Sequence, residues 1–106
     1  MDNNLEAKLK EFKKAYLAKL DNSVSSLIAL INHPGKINIE TLYDEVHKIS
    51  GTSGVYGFRE LSALATDFEF YLKKLKTVNS NADEAELKNM FIQFIKKIQQ
   101  IIKEGV

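Results

Sequence analysis

The sequence predicts an all-α fold, an antiparallel up-down four-helix bundle. Two observations lead there. Apolar residues recur at steps of three and four over four long segments, and no segment alternates with the period of two that a strand would show. The segments are separated by short stretches of helix-breaking residues: Asn32-His33-Pro34-Gly35, Gly54-Val55-Tyr56-Gly57, and Thr77 to Ala82 with Asn79-Ser80-Asn81. Four amphipathic helices with short connections pack antiparallel to their neighbours.

The first segment is expected from about Asn4 to Asn32. Leu5, Leu9, Phe12, Tyr16 and Leu20 form its inward face, continued by Val24, Leu27 and Ile31. Asp21-Asn22-Ser23 are weak helix formers in mid-segment, where a kink or break is expected. Pro34 and Gly35 end the segment. His33, just before that proline, reads as a solvated loop residue.

Asn38 is placed to cap a second helix, from about Ile39 to Ser53, with Glu40 in its first turn. Leu42, Val46, Ile49 and Ser53 make its buried stripe. The third helix is expected from about Phe58 to Lys76, with Leu61, Leu64, Ala65, Phe68, Tyr71 or Leu72, and Leu75 inward. Glu69 and Lys73 are spaced as a supporting ion pair. Asn81 and Glu84 match a capping pattern for a fourth helix running to about Lys103, with Leu87, Phe91, Phe94, Ile95, Ile98 and Ile102 inward.

The totals bound the function. With 106 residues, the chain 1–106 makes one domain, and 44% hydrophobic residues supply a core. The net charge of +1 gives no field to attract nucleic acid or a membrane surface. Fourteen of the fifteen basic residues are lysine, which argues further against a nucleic-acid partner. No cysteine is present, so thiol chemistry and Cys-based zinc sites are excluded. There is no apolar signal core at the start and no bilayer-length apolar run, so a cytoplasmic domain is expected.

One stretch, Val46 to Phe58, stands apart. It holds one of the two histidines and three of the five glycines. His47 lies one residue off the buried stripe, so its ring points to the edge of the apolar face or out of it. Asp44, Ser50, Gly51 and Gly54 share its side of the helix. A glycine inside a helix costs roughly 1 kcal/mol relative to alanine. Gly51, one turn from His47, clears space above the ring for something bulky. The plainer alternative is a surface histidine beside an early helix end at Gly51 and Gly54, with Gly57 closing the turn.

Several chemistries fail on these residues. A Ser-His-Asp triad drawn from Ser50 or Ser53, His47 and Asp44 has no oxyanion hole or cleft in prospect. Asp44-x-x-His47 is half of a bundle metal motif, and no second copy exists. Gly51, Gly54 and Gly57 follow no strand and precede no Gly-Lys-Ser/Thr, so no nucleotide loop is formed. What remains is a lone accessible imidazole. Neutral imidazole is a nucleophile, and without a pocket of its own it suits a protein substrate.

The run His47-Lys48-Ile49-Ser50-Gly51-Thr52-Ser53-Gly54-Val55-Tyr56-Gly57-Phe58 resembles the signature of histidine-containing phosphotransfer (HPt) domains. It has the histidine, an apolar residue two later, a glycine four later, small residues next, and a second glycine ten later. The likeness is strongest over about Leu42 to Leu75, and Leu61 and Leu64-Ala65 continue it.

The resemblance implies a phosphorelay intermediate in two-component signalling, with no kinase activity of its own. His47 would take a phosphoryl group from the aspartate of a receiver domain, through the ring nitrogen remote from the backbone, and pass it to a second receiver. The partners implied are receiver domains of response regulators and hybrid histidine kinases. Magnesium would belong to the receiver and no cofactor to this chain; a monomer is expected. Gly51 would admit the receiver and Gly57 would permit the turn. Tyr43, and with it Tyr56, would form an apolar docking rim. Family members often carry Lys or Arg three residues after the histidine; here Ser50 stands there, and Lys48 reads as a solvated lysine off that face. The alternative is a helical adaptor that docks receivers or other helices without transferring phosphate.

Overall fold

A computed structural model describes residues 3–78 and 84–105. Four helices follow in order: α1 Asn3–Ile31, α2 Ile39–Val55, α3 Arg59–Val78 and α4 Glu84–Glu104. They form the expected bundle, 54 × 23 × 18 Å, with α2 packed on α3, α4 on α1 and α3, and α1 on α2. No helix among the described residues is long and apolar enough to cross a membrane.

The core follows the periodicity of the sequence. Leu42, Val46, Ile49 and Ser53 of α2 are all buried. Leu61, Ala65, Phe68 and Leu72 of α3 meet Leu87, Phe91, Phe94, Ile95 and Ile98 of α4. Phe68 and Phe94 cross edge to face, with centroids 5.5 Å apart. Of the third helix's either-or pair, Leu72 is buried and Tyr71 half-buried. Ile102 is also half-buried.

α1 departs from expectation twice. No break occurs at Asp21-Asn22-Ser23; the helix runs through. Asp21 and Asn22 lie exposed, and the Ser23 hydroxyl donates to the Lys19 carbonyl at 3.0 Å, so these residues settle in the helix without competing for its backbone. The inward face is also shorter than the stripe. Leu5, Leu9 and Phe12 are 53%, 52% and 58% exposed, whereas the stripe is buried from Tyr16 on. Length is the reason. Tyr16 stacks on Tyr56 and Phe58, so it already stands level with the α2–α3 turn. From Phe12 back to Asn3, about 13 Å of helix overhangs that turn.

α2 begins as expected. Asn38 Oδ1 accepts from the Thr41 amide at 3.1 Å. It ends later than expected, at Val55 rather than Ser53, so both Gly51 and Gly54 lie inside the helix. The Gly57 amide donates to Gly54 O at 3.1 Å and the Phe58 amide to Ser53 O at 2.9 Å. This is a Schellman close, with Gly57 in the left-handed region at φ +86°. α3 then starts at Arg59 and runs through Val78, past the loop start expected at Thr77. The Asn81 cap lies outside the described residues.

Gly57→Ala should cost roughly 1–2 kcal/mol, because a Cβ disfavours the left-handed conformation there. Urea denaturation of the two proteins measures it. An unchanged midpoint would mean that the α2–α3 turn does not depend on this glycine.

Candidate functional site

The site is built by the packing of α2 against α3. A polar seam runs between them. The Ser62 hydroxyl of α3 donates to the Ser50 carbonyl of α2 at 2.9 Å. Thr66 Oγ1 donates to Ser62 O at 2.8 Å, so in its 2.7 Å contact with Ser50 Oγ it accepts. Gly54 allows the helices to close up, since a Cβ there would sit 3.2 Å from Ser62 Oγ. The pairing order is regular. Going from Ser50 back three residues to His47 goes forward three on α3, from Thr66 to Glu69.

His47 is accordingly held from α3. Its Nδ1 bonds Glu69 Oε1. The Glu69 side chain is only 15% exposed, whereas that of His47 is 65% exposed. A carboxylate accepts, so Nδ1 carries the proton and the Nε2 lone pair lies on the opposite, outward edge of the ring. Tyr43, one turn earlier, stacks almost parallel to the imidazole, 9° between planes and 5.8 Å between centroids. The ring is thus fixed by a hydrogen bond on one edge and an aromatic neighbour on one face.

The other candidate residues sort by what they touch. Asp44 is exposed one turn before His47. Lys48 points into solvent and pairs with Glu45 at 3.6 Å. Ser50 turns to Thr66 in the seam, not to His47. Gly51 is exposed, and a Cβ added there would meet nothing within 4 Å. Gly54 faces Ser62, and Gly57 shapes the turn. Tyr56 stacks on Tyr16 at 4.5 Å, more than two turns of helix beyond His47. Tyr16 itself donates to Thr52 Oγ1 at 2.7 Å, since that hydroxyl already donates to Lys48 O. Burial pushes the Tyr16 phenol above the ordinary tyrosine value, against the opposing pull of its Thr52 bond.

Glu69 is not among the candidates drawn from the sequence, whose spacing pairs it with Lys73 on its own helix. The signal was present. The turn centres on Phe58, and His47 and Glu69 stand equally far before and after it. Folding the hairpin at that point lays one against the other.

Among the described residues, no group of three or more His, Asp or Glu side chains is placed to hold a metal. The site is a single oriented imidazole on an open helix face.

The two inner glycines should respond differently to alanine. Gly51→Ala has free space and should gain up to about 1 kcal/mol of stability from helix propensity. Gly54→Ala must push Ser62, which is tied to Ser50 O, and should lose that gain or reverse it. Chemical denaturation of the pair measures the difference; equal effects would show that the helix contact at Gly54 is loose.

No curated protein and no solved structure matches the chain significantly. A protein-family model does: the Hpt domain, over residues 9–103. That range takes in all of α2 and α3, nearly all of α4 and most of α1. The four-helix bundle and the match together make this chain a member of the Hpt domain family.

Proposed function

We propose that His47 is the phosphoacceptor of this Hpt domain, taking a phosphoryl group from a receiver-domain aspartate and returning it to another receiver. The observation that carries this reading is the Glu69 bond to Nδ1 of an exposed ring. It fixes the tautomer in which Nε2 is the nucleophile.

The step balances without moving a proton. Nε2 forms the new bond to phosphorus as the P–O bond of the aspartyl phosphate breaks. The leaving group is the receiver's own carboxylate. The ring becomes a phosphoimidazolium that keeps its Nδ1 proton, and the Glu69 carboxylate beside it offsets the new positive charge. Transfer onward is the same step reversed. Magnesium and the groups that contact the moving phosphoryl oxygens come from the receiver. On this reading the domain is a carrier, not a kinase, and works as a cytoplasmic monomer.

The docking face is argued from continuity. His47, Gly51 and Val55 follow at four-residue steps along one exposed strip of α2, and Val55 is 83% exposed. The strip leads into a groove of about 350 Å³ lined by Leu9, Phe12, Lys13, Val55 and Tyr56. A receiver seated over Gly51 would cover the strip, and its apolar side chains would enter the groove beside Lys13. Tyr56 belongs to the rim through this groove, and Tyr43 through its stack on His47.

The adaptor reading draws on one observation, the engagement of Ser50 in the helix seam where relatives often carry a basic residue. One experiment separates the two. The folded domain is incubated with a phosphorylated receiver and weighed intact. Transfer adds one acid-labile phosphate, absent in His47→Gln. Binding without added mass supports the adaptor. Glu69→Gln should slow transfer roughly 10- to 100-fold, the kinetic equivalent of one charge-assisted hydrogen bond. In the same assay Leu9→Ser with Phe12→Ser should weaken receiver binding, while the already exposed side chains leave the urea midpoint nearly unchanged. Unaltered binding would remove the groove from the docking face.

A further inference from the structure

The surroundings of His47 are acidic. Glu69 bonds the ring, and Asp44 is exposed one turn before it. A phosphoryl group delivered to Nε2 brings close to two more negative charges. On α2 itself, Lys48 is turned to Glu45, and Ser50 carries no charge. On the facing helix, Lys73 follows Glu69 by one turn and is itself engaged, and a second cation is held beside the ring. Lys76 Nζ of α3 sits over the Tyr43 ring, 4.8 Å from its centroid. Tyr43 in turn stacks on His47. The three side chains form a continuous row, and among the described residues no carboxylate is paired to the ammonium in it.

We propose that Lys76, parked on Tyr43, is the counter-ion that engages the phosphoryl group once His47 carries it. It would supply from α3 the charge that Ser50 does not supply from α2. The inference rests on His47 being the phosphoacceptor. The physical argument is a competition for one ammonium group. In the free protein, the face of the half-buried Tyr43 ring is a weak but real cation site. In the phosphorylated protein, a doubly charged group stands one ring further along and attracts the ammonium more strongly. A lysine stem has the rotatable bonds to make that move, and its head stays solvated throughout. Tyr43 is then a positioning residue. It keeps the ammonium near the site without neutralising it, as a carboxylate would.

The test needs no receiver. In a His33→Gln background His47 is the only histidine, so phosphoramidate labels it alone. The new bond joins Nε2 to phosphorus, and the P–N bond of the reagent breaks with loss of ammonia. The second ionisation of the phosphoryl group is then followed by phosphorus NMR. A nearby cation favours the dianion, so the midpoint should rise by a few tenths of a pH unit in Lys76→Met. The difference should shrink with added salt. Lys103→Met, at the end of α4, should leave the midpoint where it was. Tyr43→Phe should match the parent, because the ring face and not the hydroxyl holds the ammonium. The same midpoint in parent and Lys76→Met overturns the proposal, as does an equal rise in Lys103→Met. With a phosphorylated receiver, Lys76→Met should shift the phosphoryl partition about two-fold or more toward the receiver, the equivalent of those few tenths of a unit. A Lys76 effect on the chemically labelled protein with no transfer from any receiver would retain the counter-ion and reject the relay. Transfer that is indifferent to Lys76 would do the opposite.

Discussion

The close antiparallel contact of α2 and α3 is the constraint on which the molecule depends. Small residues line it, and a left-handed glycine sets its phase. Because the chain reverses through a single Schellman close, each residue of α2 faces a determined residue of α3. The seam hydroxyls then lock that pairing by bonding across it and back to carbonyls. An open helix surface carries no cavity to hold the His47 ring. Here the ring is held from the next helix, and the precision of that hold is the precision of the register.

Much of this was legible in the sequence, and the limits are instructive. The buried stripe of α2 could be read residue by residue, because a helix with two packed neighbours buries what its period selects. The stripe of α1 misled over Leu5, Leu9 and Phe12. Periodicity reports which way a side chain points, not whether anything stands opposite, and that depends on where the neighbouring helix turns back. Asp21-Asn22-Ser23 misled for a related reason. Their propensity for non-helical backbone is small beside the packing of Leu20 and Val24 on either side. Glu69 is not legible from its own helix, because its partner comes from across the hairpin.

The position three residues after His47 shows how one residue serves two demands. A serine there stitches α2 to α3. A lysine would give up that stitch, worth roughly 0.5–1.5 kcal/mol, and place charge at the helix surface instead. Thr66 would keep its bond to Ser62 O, so no buried group would be stranded. The packing of α2 on α3 therefore permits either residue at this position.

The overhang of α1 has a consequence for how sequence change is tolerated. Its first turns are helical but rest on little, so their local opening is far easier than that of the bundle. Mutations at Leu5, Leu9 or Phe12 scarcely touch the packed interior. The bundle and the bonded His47 ring form one packed unit, and the projecting turns are an appendage that can change its surface without disturbing that unit.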